Sequence, residues 1–90
     1  MNKPVPKSFE RLREVLSEMT GNDASEIHLD SHLEEDLGFN LDEDFSRLLR
    51  KIDDEFSVSL DYEDSLNELT DAGETVIELA KLIDNELELG

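Results

Sequence analysis

Several residue types that carry common kinds of chemistry are missing or scarce in this chain of 90 residues. It has no cysteine and no tryptophan, and it has only two prolines and four glycines. The lack of cysteine excludes a disulfide framework and a thiolate nucleophile. No apolar run approaches the roughly 20 residues that a membrane-spanning helix needs. We therefore expect one small helical domain with a cytoplasmic location and no membrane insertion.

Basic residues are also scarce. Eight Lys and Arg stand against 25 Asp and Glu, which gives a formal net charge of −17 at pH 7. No Lys or Arg lies between Arg13 and Arg47 or between Lys51 and Lys81. Such a field repels nucleic acid phosphates and attracts basic protein surfaces. We expect a monomer whose partner is a protein with a basic or mixed-charge surface, and no nucleic acid partner.

Apolar residues recur at helical spacing in four segments, and polar stretches separate these segments. The spacing predicts helices near residues 8–20, 41–56, 62–68 and 71–87. Residues 1–7, which contain both prolines, are expected to form a flexible arm before a single domain over 8–90. The side chains expected to be central and buried are Phe45, Leu49, Ile52, Val76, Leu79 and Ile83.

Residues with a preference for helix ends support these boundaries. Ser8 and Asn40 are expected to cap the first and second helices, and Thr70 or Asp71 is expected to cap the fourth. Gly21 is expected to end the first helix. Tyr62 and Leu87 are expected to lie on the inward faces of the third and fourth helices.

A long loop is predicted between the first and second helices. Residues 21–40 show no sustained period and contain isolated apolar anchors at Ile27, Leu33 and Leu37. We expect an ordered, mostly non-regular loop with a turn or two of helix. Loops of this length in small domains are uncommon and are often functional.

The end of this loop contains the sequence Asp36-Leu37-Gly38, which is similar to the approach to the modification site of acyl and peptidyl carrier proteins. The order of helices over about residues 9–87 also resembles that family. Leu60–Asp64 resembles the family's entry to its short helix, and Leu69–Ala72 resembles the start of its last helix. The resemblance implies an all-α, acyl-carrier-protein-like four-helix bundle, with three longer helices, one short helix and a long first loop.

The resemblance fails at the residue that carries the family's chemistry. A carrier protein attaches phosphopantetheine to a serine directly after this loop, whereas Phe39-Asn40-Leu41-Asp42 stands here. The serine position falls on Leu41, Asn40 or Asp42, depending on the alignment. None of these side chains has a hydroxyl that can attack coenzyme A. We therefore expect no phosphopantetheine and no other cofactor.

Two further serines lie near this position or in a similar tripeptide. Ser46 lies one and a half turns into the second helix, which is a poor match to the family's position at the helix start. It is the remaining candidate for attachment if the register is unusual. Ser65 stands in a literal Asp-Ser-Leu tripeptide, but a helix that starts there meets Gly73 after two turns. We interpret this tripeptide as a coincidence.

Other patterns that carry chemistry are absent or incomplete. His28 and His32 are four residues apart, but we expect them in a loop, with a surface or capping role and no metal site. Asn40, Asp42 and Asp44 alternate as in a calcium loop, whose glycine and final glutamate are missing here. No catalytic residue is identified, and we do not expect an enzyme.

The exposed face of the second helix carries both signs of charge. Glu43 and Arg47, like Arg50 and Asp54, are four residues apart and are expected to form ion pairs on the helix surface. This face is either an ordinary salt-bridged surface or the sign of a changed choice of partner, because its cations would repel an arginine-rich docking site. The residues expected to bind the partner are Asp36, Asn40, Asp42, Glu43, Asp44, Arg47 and Arg50.

The sequence is compatible with three functions. The preferred hypothesis is a non-enzymatic, carrier-like protein-binding module without a covalent arm. The first alternative is a genuine acyl or peptidyl carrier protein that is modified in an unusual register. The second alternative is an acidic inhibitor or antitoxin-type protein. A carrier-like module would have a partner among the enzymes of a lipid or polyketide pathway.

Overall fold

The computed structural model describes residues 5–89, which fold into four α-helices and one turn of 3-10 helix. The helices are α1 (Phe9–Thr20), α2 (Leu41–Phe56), α3 (Tyr62–Ala72) and α4 (Val76–Leu89), with the 3-10 turn at Ala24–Glu26. Helix α1 packs against helices α2 and α4, and α3 packs against the same two helices, so the four form a closed bundle. Within the described residues the only bridge between extended segments joins His32 and Thr75. The all-helical prediction is confirmed.

The first two helices begin and end close to the predicted residues. Gly21 follows α1 in the left-handed conformation with φ of 79°, which glycine adopts without steric cost. Asn40 caps α2, and its side chain accepts hydrogen bonds from the first turn. The loop between them contains a single helical turn, as expected. None of the four described helices combines the length and the apolar content that crossing a membrane requires.

Ser8 occupies the position before α1 but does not cap it. Its backbone is helical and its side chain makes no capping hydrogen bond. The Ser8 hydroxyl instead donates to the carbonyl oxygen of Ala80 at 2.9 Å. The backbone N–H groups of Lys7 and Ser8 both donate to the carboxylate of Asp84, at 2.9 and 3.0 Å. These bonds attach the start of α1 to α4. Residues 1–4 of the predicted arm lie outside the described residues.

The boundary between α3 and α4 differs from the prediction. Helix α3 has 11 residues and continues through Thr70 and Asp71, so neither residue caps α4 and α3 is not a short helix. It ends at Gly73, whose φ of 105° is in the left-handed region. Helix α4 begins only at Val76, and the Val76 N–H donates to the carbonyl oxygen of Ser31 at 3.0 Å. The cap of α4 therefore comes from the distant first loop.

The core lies between the helices and extends beneath the first loop. All six side chains predicted to be central are buried, and so are the three loop anchors. Phe39, which the helical pattern did not identify, is also buried. Leu87 is 42% exposed and Tyr62 is 38% exposed, so neither is an inward residue, although the Tyr62 ring lies 5.5 Å from the Phe45 ring.

Candidate functional site

The turn before α2 is closed by its own polar side chains. Nδ1 of His32 accepts hydrogen bonds from the backbone N–H groups of Glu34 and Glu35, at 3.2 and 3.1 Å. The carboxylate of Asp36 accepts from the backbone N–H of His32 at 2.7 Å. The predicted capping role is confirmed for His32. Asp36, which was predicted to bind a partner, is exposed but has one oxygen engaged in the turn.

The first turn of α2 is held by two side chains. Oδ1 of Asn40 accepts from the N–H groups of Asp42 and Glu43, at 2.9 and 3.1 Å. Glu34 reaches forward from the turn, and its carboxylate accepts from the N–H of Leu41 at 3.4 Å. Together these bonds satisfy three N–H groups that have no partner within the helix. The contribution of Glu34 was not predicted, because its position gives no capping signal in the sequence.

The three candidates for the serine position have different environments. Leu41 is 4% exposed and belongs to the core. Asn40 is exposed, but its side-chain oxygen is the cap of α2. Asp42 is exposed at the helix start, where its charge complements the helix dipole. No hydroxyl is present at these three positions.

The two other serines also differ in accessibility. Ser46 is exposed on α2. Ser65 is 3% exposed and faces the interior of the bundle from α3. A transferase cannot reach the Ser65 hydroxyl while the domain is folded. The literal Asp-Ser-Leu tripeptide is therefore a helical segment whose aspartate is exposed and whose serine is buried.

The charged face of α2 does not contain the two predicted ion pairs. Glu43, Arg47, Arg50 and Asp54 lie on one side of the helix and are exposed; we call them the α2 charge stripe. The guanidinium group of Arg47 lies 3.8 Å from the carboxylate of Asp44. Its predicted partner was Glu43, the residue before Asp44. This alternative is possible because residues three apart on a helix are neighbours, as are residues four apart. No ion pair within residues 5–89 joins Arg50 to Asp54.

A shallow groove separates the charge stripe from the end of α1. Arg47, Arg50 and Lys51 line one side, and Met19 lies on the other. The ammonium group of Lys51 lies 3.6 Å from the carboxylate of Glu18 across this groove. Lys51 and Met19 were not predicted as parts of the site. Their proximity depends on how α1 packs against α2, which no local pattern encodes.

The described residues contain no grouping that resembles a metal centre. Within residues 5–89 no three His, Asp or Glu side chains are placed to hold a metal ion together. His28 is exposed, whereas His32 is half-buried and uses Nδ1 in the turn. The two histidines therefore have different surroundings.

The arrangement as a whole is a polar surface at the start of α2 on an apolar support. Phe39 and Leu41 anchor the chain on either side of Asn40, with exposed fractions of 3% and 4%. Asp42 and Glu43 are exposed, and Asp44 is half-buried. Such a surface can bind a partner by charge and shape. No protein-family model matches this chain, and no match was found among curated proteins.

Proposed function

We propose that this chain is an acyl-carrier-protein-like, non-enzymatic protein-binding module that acts without a covalent phosphopantetheine arm. Its partner would carry a basic or mixed-charge surface and would contact the end of the first loop and the exposed part of α2. The resemblance to carrier proteins suggests an enzyme of lipid or polyketide synthesis as the partner. The proposal combines that resemblance with the chemistry of the side chains at the start of α2.

One observation carries the proposal. The residue at the exposed cap of α2 is Asn40, whose oxygen already accepts two backbone hydrogen bonds, and the next residue, Leu41, is buried. An amide oxygen in this role and a buried aliphatic side chain cannot form a phosphodiester. The surface that surrounds them is still ordered, polar and exposed. A binding role that needs no arm accounts for both features.

A mass measurement tests the absence of the arm. The purified chain is incubated with coenzyme A and a broad-specificity phosphopantetheinyl transferase, with a known carrier protein as positive control. We expect the intact mass to stay unchanged, because Asn40, Leu41 and Asp42 at the start of α2 provide no hydroxyl that can form a stable phosphodiester. A gain of one phosphopantetheine would overturn the proposal. If the gain maps to Ser46, which is exposed, the chain is a genuine carrier in an unusual register.

A single substitution provides the converse experiment. Asn40→Ser places a hydroxyl at the exposed cap, where serine also satisfies the helix N-terminus, and it leaves the buried Phe39 and Leu41 in place. We expect slow modification of this variant at best. Asn40→Ala is the matched control, because it changes the same position without providing a hydroxyl. Equal mass gain in both variants would show that the modification is elsewhere.

Binding is tested by site-specific crosslinking in the source cells. A photo-crosslinking amino acid is placed at Glu43 on α2 in one variant and at Asn67 on α3 in the other; both positions are exposed. We expect defined crosslinked partners from the first position and not from the second. Enzymes of lipid or polyketide synthesis would support the proposal, whereas a toxin would favour an acidic inhibitor or antitoxin. The same products from both positions would count against a binding surface on α2.

A further inference from the structure

The charges of α2 define the chemistry of its partner more narrowly than net charge does. We infer that the α2 charge stripe binds a partner helix with the inverse pattern, in which two acidic residues at the centre are flanked by two basic residues. This inference rests on the proposed function, because it names the partner chemistry of the same surface. It depends on the position, availability and symmetry of four side chains, Glu43, Arg47, Arg50 and Asp54.

The four charges form a short straight row along the helix. At 100° per residue they lie within about 60° of arc. With a rise of about 1.5 Å per residue, Arg47 follows Glu43 by about 6 Å, and Asp54 follows Arg50 by the same distance. The row spans about 16 Å, which is three turns. The signs along it are negative, positive, positive and negative.

These charges are available to a partner. All four residues are exposed. Within the described residues, no oppositely charged group lies within 4.0 Å of Glu43, Arg50 or Asp54. Arg47 has only Asp44, at 3.8 Å, and its side chain keeps 70% of its exposure. The stripe is therefore not neutralised by contacts within the fold.

The spacing of the stripe matches that of another helix. Its charged positions are separated by four, three and four residues, which is the spacing of side chains along one face of any α-helix. A helix laid along α2 can therefore present a charge opposite each of the four. The pattern reads the same in both directions, so parallel and antiparallel partners are matched equally.

The positive centre of the stripe disfavours the entirely basic partner surface that the net charge alone suggests. Arg47, Arg50 and the adjacent Lys51 are three of the eight Lys and Arg residues in the chain. An entirely basic partner surface would be attracted by the remote acids but repelled at this centre. An entirely acidic surface would face Glu43 and Asp54 at the ends. Opposite charge at each position selects the inverse pattern and disfavours both uniform surfaces.

A second copy of the chain does not provide this pattern. In an antiparallel pair centred on the stripe, Glu43 faces Asp54 and Arg47 faces Arg50. In a parallel pair in register, each residue faces its own copy. Like charges meet in both arrangements, and each copy also has a net charge of −17. The inverse pattern must therefore come from a different protein.

Two synthetic peptides of identical composition test the inference. Both are capped, helix-forming peptides with two lysines and two glutamates at relative positions 1, 5, 8 and 12 of one face. The matched peptide has lysine at the ends and glutamate at the centre, and the mismatched peptide has the reverse. Binding to the 15N-labelled chain is measured by NMR titration at low ionic strength, where surface charges are least screened.

We expect the matched peptide to bind about tenfold more tightly, because four exposed opposite-charge contacts replace four like-charge contacts. The largest changes in amide chemical shift should occur at Arg47 and Arg50. The control is the fourfold variant Glu43→Lys, Arg47→Glu, Arg50→Glu and Asp54→Lys. This variant keeps the net charge and should invert the preference. Circular dichroism establishes that it retains the helical content of the native chain.

The outcomes separate this inference from the proposed function. Equal affinities, binding of neither peptide, or the same preference in the fourfold variant would overturn the inverse-pattern partner. Changes in chemical shift that are confined to α3 and α4 would also overturn the inference. None of these results alters the mass or crosslinking experiments, which test the module itself. A phosphopantetheine gain on the native chain would overturn the proposed function whichever peptide binds.

Discussion

The first loop and the α2 charge stripe are both rich in polar residues, but their side chains have different roles. In the loop, polar side chains bind backbone groups: Asn22 donates to the carbonyl of Leu37 at 3.0 Å, and the carboxylate of Asp36 accepts from the N–H of His32 at 2.7 Å. On the stripe, Arg50 has no ion-pair partner within residues 5–89. A loop must satisfy its backbone with side chains, whereas a helix satisfies its own. Charged side chains on the exposed face of a helix are not needed to satisfy its backbone, which leaves those of the stripe available for the binding role that we propose.

The residues predicted to bind a partner come from both of these regions. Asp36 and Asn40 were predicted to bind a partner, and each also holds backbone: Asp36 accepts from His32 in the turn, and Asn40 accepts from the first turn of α2. Glu43, Arg47 and Arg50 were predicted to bind the same partner, and they remain exposed. The predicted site thus has a structural part at the loop end and an exposed part on the helix, to which we assign the proposed recognition role. Substitutions should separate the two by their effect on stability.

The largest effect is expected in the apolar anchors of the loop. Leu33 is fully buried although it lies outside any helix. Leu33→Ala should lower the free energy of unfolding by about 2–5 kcal/mol, because it leaves a cavity beneath the loop. Urea denaturation measures this change, and Leu49→Ala on α2 is the matched control with a similar expected cost. A cost well below that of the control would show that the loop is not part of the core.

An intermediate effect is expected where the loop meets the helix. Asn40→Ala removes the acceptor for two N–H groups and should lower the free energy of unfolding by about 0.5–2 kcal/mol. Asn40→Ser keeps a side-chain acceptor at the cap and should recover most of the loss. Thermal and urea denaturation of the three proteins measure the effect. If the alanine and serine variants are equally destabilised, the cap does not contribute in the way proposed.

The smallest effect on stability is expected in the charge stripe. Arg50→Gln removes an exposed charge that has no ion-pair partner in the described part of the chain, so the free energy of unfolding should change by less than about 0.5 kcal/mol. The same variant should weaken binding of the matched peptide. A loss of stability as large as that of Asn40→Ala would mean that Arg50 supports the fold, and the distinction between loop and stripe would fail.

Sequence periodicity determined the helices and most of the core. The helix faces that contain Phe45, Ile52, Leu79 and Ile83 have apolar residues at helical spacing, and all four of these residues are buried. The loop was also identified correctly, because its anchors are isolated apolar residues with no period. These features were predictable because the 3.6-residue repeat of apolar side chains, which marks the face that a helix buries, is a local property of the chain. The resemblance to carrier proteins adds an expectation about function that the bundle alone does not test.

Only the tertiary structure decided where α4 begins and which charges are paired. Thr70 and Asp71 have the side chains of a helix cap, but the N–H groups of Val76 and Ile77 are capped by the carbonyls of Ser31 and Leu29. That cap comes from residues more than 40 positions away, so no local rule can identify it. Long side chains on the stripe likewise have several partners within reach. Packing between elements selects among options that local sequence leaves nearly equal in energy.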